Sequence, residues 1–168
     1  MDLKIRNIFS QTPHIIKIIT DGSASPKSGF GAWAAYIVTP TEEIILKDTE
    51  PNVTQHTMEL KAVIESLKYI QSTFQNVSAL EIYSDSDYVL GLLRRRERLE
   101  NKNYQTKKGK EIKNRKLILR FYDYLDRFDV RMLRVEGHAR KGQSKITDYH
   151  REVDKLSRKL VRQKSRDK

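Results

Sequence analysis

Four acidic residues in separate parts of the chain could meet and bind a metal ion: Asp21, Glu59, Asp85 and Asp154. Asp21 and Asp85 each follow a short apolar run that predicts a buried strand, and parallel neighbouring strands present their carboxyl ends at one sheet edge. Glu59 is predicted in the first turn of a helix, beside its apolar stripe. Asp154 is predicted on a last helix, next to the core-facing Val153.

Carboxylates packed together repel and raise one another's pKa, and a divalent cation relieves this conflict. Oxygen ligands favour hard Mg²⁺ or Mn²⁺ over zinc. Two such ions about 3.5–4 Å apart can activate water and stabilise the leaving oxygen of a phosphodiester. Each acid taken singly is equally compatible with a turn, a helix cap or an ion pair, so the hypothesis depends on the fold.

The elements that must position these acids follow from hydrophobic periodicity. Strands are predicted over 14–20, 31–38, from 43, over 79–84 and over 129–135. Helices are predicted over 57–74, from about 86 through an arginine run, over 114–128 and over 147–164. The first three strands form an antiparallel meander, whereas strands one, four and five are joined through helices and should be parallel. We therefore expect an α/β fold in one domain over residues 14–168, after a lead-in over residues 1–13.

The charge is strongly basic and unevenly distributed. The 168 residues contain 33 Lys and Arg against 22 Asp and Glu, for a net charge of +11. Residues 94–120 alone contain 12 basic and 3 acidic residues. Such a segment favours a polyanionic partner, most simply a nucleic acid, although a solvated lysine-rich surface has the same composition.

Several classes of protein are excluded by composition. The chain contains no cysteine, which excludes disulfide frameworks, thiolate metal sites and cysteine nucleophiles. It contains no apolar run of the roughly 18 residues that a membrane span requires. We expect a soluble, cytoplasmic monomer with no membrane partner and no small-molecule cofactor.

Five short motifs occur in a characteristic order. They are Thr20-Asp21-Gly22-Ser23-Ala24, Met58-Glu59-Leu60, Tyr83-Ser84-Asp85-Ser86-Asp87-Tyr88-Val89, Gly137-His138-Ala139 and Val153-Asp154-Lys155-Leu156. In this order, and on these predicted elements, the chain resembles the type 1 ribonuclease H family over about residues 15–162. Each motif alone has little specificity, whereas the five together are specific.

The resemblance implies a ribonuclease H-like fold, with a five-stranded mixed sheet in the order 3-2-1-4-5 flanked by helices. It implies endonucleolytic hydrolysis of the RNA strand of RNA–DNA hybrids, leaving 5′-phosphate and 3′-hydroxyl ends. Asp21, Glu59, Asp85 and Asp154 would be the catalytic carboxylates that bind two Mg²⁺ ions, with Mn²⁺ as an alternative. His138 matches a loop histidine that assists proton transfer or product departure.

The resemblance also implies contacts with nucleic acid. Thr54 matches a threonine that grips a DNA phosphate. Residues 94–120 fall where many members have a basic, handle-like protrusion, within which the implied contacts are Tyr104, Lys107, Lys108, Lys110 and Asn114.

The chain departs from the family pattern at three places. His56 stands where asparagine is frequent. The stretch from His138 to Asp154 is about six residues longer than in common members. His150 stands where asparagine is usual, four residues before Asp154 and one helical turn away on the same face. The resemblance assigns it no role, but it is the rival of His138 if the longer loop holds the His138 imidazole elsewhere.

Other functions remain open at this point, because the same fold occurs in integrases, transposases, Holliday-junction resolvases and non-catalytic scaffolding domains. A binding domain without activity would typically lack one or more of the four acids. An integrase or resolvase would not be expected to combine the basic segment with the Gly137-His138-Ala139 loop. A structural interaction domain would not need so basic a segment.

Overall fold

The computed structural model describes residues 14–136 and 142–166. Its strands are β1 (His14–Ser25), β2 (Phe30–Val38), β3 (Glu43–Pro51), β4 (Val77–Ser84) and β5 (Val130–Arg134). Its helices are α1 (Gln55–Thr73), α2 (Asp87–Asn101), α3 (Arg115–Arg127) and α4 (Lys145–Arg166). The strands form one sheet in the order β3-β2-β1-β4-β5, so the predicted element order and sheet order are confirmed.

The sheet is mixed, as predicted. β1 pairs antiparallel with β2, and β2 pairs antiparallel with β3. β4 pairs parallel with β1 on one side and with β5 on the other. The parallel strands are connected through α1 and through α2 and α3, the crossover that parallel pairing requires.

The alternation of side chains along β1 divides the core between the two faces of the sheet. Ile18 packs into the cluster that contains α1 and α3, whereas Ile19 packs with Val153 of α4. The sheet therefore has α1 and α3 on one face and α4 on the other. Successive residues of β1 pack against different helices.

Strand β1 is longer than the sequence predicted. The expectation that Asp21 ends the strand is wrong, because β1 continues to Ser25 and Asp21 pairs opposite Ala34 of β2. The parallel pairing with β4 does stop nearby, at Ile19 opposite Tyr83. At Asp21, β1 therefore no longer pairs with β4 but still pairs with β2.

Across residues 14–136 and 142–166, no helix has both the length and the apolar character needed to cross a membrane.

Candidate active site

Asp21 and Asp85 occupy equivalent positions at one edge of the sheet. Each lies two residues beyond the last parallel pair, which joins Ile19 to Tyr83. Because parallel strands run in register, the two carboxylates leave the sheet side by side. The sequence-based expectation that these two acids share an edge is met by this register.

Gly22 lets α1 pack against β1, and Glu59 of α1 lines the same cleft as Asp21. A Cβ atom on Gly22 would lie 2.2 Å from the backbone nitrogen of Glu59, a distance that no side chain could tolerate. The alternation along β1 turns Gly22 towards α1 and Asp21 towards α4. Asp21 and Gly22 therefore point to opposite faces of the sheet, where Gly22 allows close packing of α1.

All four predicted acids line one cleft of about 460 Å³, which also includes Ser86, His56 and Arg158. Glu59 is contributed by the second turn of α1, since the helix begins at Gln55 and not at Thr57 as predicted. Asp154 is contributed by α4. Four separate elements therefore bring their carboxylates to one place.

Asp21 is the most electrostatically perturbed of these acids. Burial raises its pKa from 3.8 to about 6, assisted by the negative charges of Asp154 and Asp85. A 2.5 Å hydrogen bond donated by Ser157 Oγ to Asp21 Oδ2 opposes this rise. The charges of Asp85 and Asp154 both act on Asp21, so a cation bound beside Asp21 would relieve this repulsion.

Glu59 is held by two hydrogen bonds. Ser86 Oγ donates to Glu59 Oε2 at 2.5 Å, and Gln55 Nε2 donates to Glu59 Oε1 at 3.1 Å. Burial raises the pKa of Glu59 above its ordinary value even though both bonds oppose the rise. Ser86 also caps α2 by accepting a hydrogen bond from Val89 N, so the carboxylate is tied to the start of that helix.

Asp85 and Asp154 each face a basic group. His150 Nε2 lies 3.5 Å from Asp85 Oδ1, and this imidazole lowers the pKa of Asp85 against the effect of burial. Arg158 Nε lies 2.7 Å from Asp154 Oδ1. Among the described residues, one ligand atom each of Asp21, Asp85 and His150 lies within 4.8 Å of the other two.

Sequence reasoning did not predict the contacts that three polar residues make with these carboxylates. Ser86, Ser157 and His150 are all buried, with relative exposures of 5%, 0% and 3%. The helical stripe offered a signal for Ser157, because it lies four residues after Val153 and therefore on the core side of α4. A buried serine at such a position needs a hydrogen-bond partner, which here is the carboxylate of Asp21.

Thr54 and Asn114, predicted to contact nucleic acid, are linked through Thr57. Thr54 Oγ1 lies 2.9 Å from Thr57 Oγ1, and Thr57 Oγ1 donates to Asn114 Oδ1 at 3.0 Å. Thr54 is also the N-cap of α1, since its side chain accepts a hydrogen bond from Thr57 N. Both residues line a second cleft of about 350 Å³.

The rings of His56 and Tyr88 stack at a centroid distance of 4.4 Å and an interplanar angle of 4°. Both residues line the acidic cleft and the second cleft. The stacked pair therefore lies between the two clefts.

The basic segment over residues 94–120 spans parts of two helices and the connection between them. Its first part belongs to α2 and its last part to α3, which leaves residues 102–114 as the connection between the helices. Arg96 forms a two-pronged ion pair with Asp126, with N–O distances of 2.6 and 2.7 Å, and also pairs with Glu100. Part of the counted charge is thus neutralised within the protein.

Lys107, Lys108 and Lys110 are exposed in this connection, as a binding role requires. Tyr104 differs from the expectation. It is only 8% exposed, it packs in the main hydrophobic cluster, and the Arg115 guanidinium lies 5.7 Å from its ring centroid. Its aromatic ring has no open face for a base or sugar, so Tyr104 is a core residue.

His138, the predicted proton-transfer residue, lies outside the described residues.

Comparisons with known proteins agree with this geometry. The model of the RNase H family matches residues 13–162. A ribonuclease H of Caldicellulosiruptor saccharolyticus is 30% identical over 126 residues, which cover 74% of this chain and 84% of that protein. A ribonuclease H of Thermoanaerobacter sp. is 27% identical over 160 residues, covering 94% of this chain and 97% of the relative.

Solved structures show the same fold. LC9-RNase H1, described as a type 1 RNase H with the type 2 active-site motif, superposes with a TM-score of 0.72 at 19% identity, covering 89% of this chain and 73% of that one. The prototype foamy virus protease-reverse transcriptase superposes with a TM-score of 0.70 at 18% identity, covering 90% of this chain and 21% of that one. With the family match over residues 13–162, the chain belongs to the RNase H family and is a ribonuclease H hydrolase.

Proposed function

We propose that this protein hydrolyses the RNA strand of RNA–DNA hybrids at internal phosphodiester bonds, leaving 5′-phosphate and 3′-hydroxyl ends. The observation that carries the proposal is the convergence of Asp21, Glu59, Asp85 and Asp154 on one cleft. Four carboxylates that line one cleft suit divalent cations, on which this family depends, and hard oxygen donors favour Mg²⁺ or Mn²⁺.

Within this cleft we assign Asp21, Glu59, Asp85 and Asp154 as the residues that would hold the divalent cations. The charges of Asp85 and Asp154 both raise the pKa of Asp21, so a cation beside Asp21 would relieve its repulsion with both.

Bound divalent cations would supply an activated water molecule and stabilise the oxygen that leaves the phosphorus. The chain's own groups orient the carboxylates for this purpose. Ser157 holds Asp21, while Ser86 and Gln55 hold Glu59 by both of its oxygens. We assign proton transfer during departure of the product to His138.

For the DNA strand we propose a contact at the second cleft, where Thr54 and Asn114 are linked through Thr57. Hydroxyl and amide groups there can donate hydrogen bonds to a phosphate, and Arg95 and Lys113 line the same cleft. Lys107, Lys108 and Lys110 extend this surface with exposed positive charge.

The test is cleavage of an end-labelled RNA–DNA hybrid with Mg²⁺ or Mn²⁺, and again with excess EDTA. The control substrates have the same sequence and are single-stranded RNA, double-stranded RNA and double-stranded DNA. We expect cleavage of the RNA strand of the hybrid alone, abolished by EDTA and by Asp85→Asn. Asp123→Asn is the matched control, because Asp123 is an exposed acid of α3 that pairs with Arg127.

Two results would contradict the proposal. Cleavage of double-stranded DNA in preference to the hybrid would indicate a resolvase-like or integrase-like activity. Equal turnover by Asp85→Asn and Asp123→Asn would show that the acidic cleft does not perform the reaction.

A further inference from the structure

His150 places a buried nitrogen atom close to two carboxylates of the acidic cleft, Asp21 and Asp85. Its side chain is only 4% exposed, and among the described residues its Nε2 lies 3.5 Å from Asp85 Oδ1 without normal hydrogen-bond geometry. A buried polar atom is normally satisfied by a close partner, and a bound cation would supply one here.

The position of His150 follows from the periodicity of α4. The residue lies one turn before Asp154 and two turns before the packed face around Ser157, all within one helix. Residues four apart share a helix face, so α4 directs an imidazole and a carboxylate to the same side. His150 Nε2 lies 3.5 Å from Asp85 Oδ1, and Asp85 directly follows β4.

The spacing of these atoms suits a common ion. One ligand atom each of Asp21, Asp85 and His150 lies within 4.8 Å of the other two. Ligands about 2.1 Å from one cation are about 3 Å apart when adjacent and about 4.2 Å apart when opposite. The limit of 4.8 Å that separates the three atoms is close to this range.

We propose that His150 Nε2 is a direct ligand of the divalent cation held by Asp21 and Asp85, which gives that position a mixed nitrogen and oxygen donor set. The inference rests on the metal site of the proposed function and specifies which ion this site takes. Imidazole binds first-row transition ions well and Mg²⁺ poorly, and affinity rises from Mn²⁺ to Co²⁺. The site therefore prefers Mn²⁺ and Co²⁺ to Mg²⁺.

The first test measures binding of the metal ions alone, without nucleic acid. Isothermal titration calorimetry with Mn²⁺ and with Mg²⁺ compares the wild type with His150→Asn, which keeps a polar side chain of smaller size. We expect His150→Asn to weaken Mn²⁺ binding about tenfold or more, and to change Mg²⁺ binding much less. Equal weakening for both ions would show that His150 only orients Asp85, and would overturn the proposal.

The second test observes the ligand directly in the wild-type protein. Pulsed electron paramagnetic resonance of the Mn²⁺-loaded protein should show coupling to ¹⁴N that changes to ¹⁵N coupling when histidine is ¹⁵N-labelled. The coupling should persist in His56→Asn and His138→Ala, which alter the other histidine of the cleft and the loop histidine. Mn²⁺ bound without histidine nitrogen coupling would overturn the proposal, and this experiment decides even if His150→Asn fails to fold.

The outcome is independent of the proposed function. Nitrogen coupling together with an intact RNA–DNA hybrid would support the ligand and reject the nuclease. Hybrid cleavage by a protein whose Mn²⁺ shows no nitrogen coupling would support the nuclease and reject the ligand.

Discussion

Ser157 Oγ donates a 2.5 Å hydrogen bond to Asp21 Oδ2, which ties α4 to β1 at the centre of the acidic cleft. The two residues are 136 positions apart in the chain, and neither occurs in a motif that includes the other. The bond holds the carboxylate in place and counteracts the rise in its pKa that burial causes.

Ser157→Ala should therefore shift the activity to higher pH. Without the hydroxyl, the pKa of Asp21 rises further, and the carboxylate must lose its proton before it can bind a cation. Loss of a hydrogen bond to a charged, buried group also destabilises the fold by about 1.5–3 kcal/mol. The measurements are the pH profile of hybrid cleavage and urea unfolding.

The matched control for this variant is Ser165→Ala, which removes a hydroxyl of the same helix that bonds only the carbonyl of Val161. An acidic limb of the pH profile that is unmoved in Ser157→Ala would show that the serine does not tune Asp21.

Asp21→Asn should lower the rate of hybrid cleavage by several orders of magnitude. It should also stabilise the metal-free protein at neutral pH. The folded pKa of Asp21 is about 6 against an ordinary 3.8, so the folded state binds this proton more tightly than the unfolded state. The stability that this proton contributes is fully present below pH 4 and is lost as the pH rises through about 6, where the folded protein releases the proton. Each unit of difference between the folded and unfolded pKa corresponds to about 1.4 kcal/mol. Urea unfolding in EDTA should show that the variant's advantage over the wild type grows by about 1–3 kcal/mol between pH 4 and pH 7.5.

An advantage that does not change with pH would contradict the raised pKa of Asp21. Addition of Mn²⁺ should reverse the order at pH 7.5, because only the wild type then gains stability from binding the cation.

Gly22→Ala should damage both the fold and the activity. The new Cβ would meet the backbone of Met58 and Glu59, which no side-chain rotation can relieve, so α1 must move away from β1. Overpacking of this kind costs about 1–3 kcal/mol and separates Glu59 from Asp21. Gly91→Ala is the control, since its Cβ would meet only the Arg95 side chain at 3.4 Å or more, and alanine favours a helix. Thermal unfolding of both variants with a single-turnover assay checks the prediction, which fails if Gly22→Ala resembles Gly91→Ala.

Replacing Lys107, Lys108 and Lys110 together by alanine should weaken binding of the hybrid without changing kcat. These exposed lysines would neutralise phosphates and release counterions, so their loss should reduce the salt slope of binding by about 3. Steady-state kinetics at several salt concentrations should show a higher KM, most clearly at low salt. The control replaces Lys27, Lys47 and Lys68, which are exposed outside the basic segment and remove the same charge. Equal effects of the two triple variants on KM and on the salt slope would show that the basic segment is an ordinary solvated surface and not a binding site.

His138→Ala should lower kcat by about 10²–10³-fold and leave KM and metal affinity close to those of the wild type. A group that assists proton transfer or product departure acts after the substrate and the cations have bound. Steady-state kinetics and calorimetry with Mn²⁺ separate these steps. A normal kcat in His138→Ala would remove the loop histidine from the proposed reaction.

Hydrophobic periodicity was sufficient for the order of the elements, because buried strands and amphipathic helices have distinct periods. The order of the strands came from the motif resemblance, and the convergence of the four acids on one cleft was expected from the shared edge of parallel strands. Predictions for individual contacts were less successful. Tyr104 was expected on the binding surface, yet the left-handed backbone at Asn103 and Tyr104 turns the chain so that the ring enters the core.

Local sequence determined which residues of this protein could do chemistry, because Asp21, Glu59, Asp85 and Asp154 each stand in a recognisable strand-end or helix pattern. Only the tertiary structure decided what surrounds them. Ser157 and Ser86 bind their carboxylates from other elements, and His150 Nε2 lies 3.5 Å from Asp85 Oδ1. Such contacts depend on how α4 and α2 are positioned relative to the sheet. The periodicity within one segment carries no information about its distance from another segment.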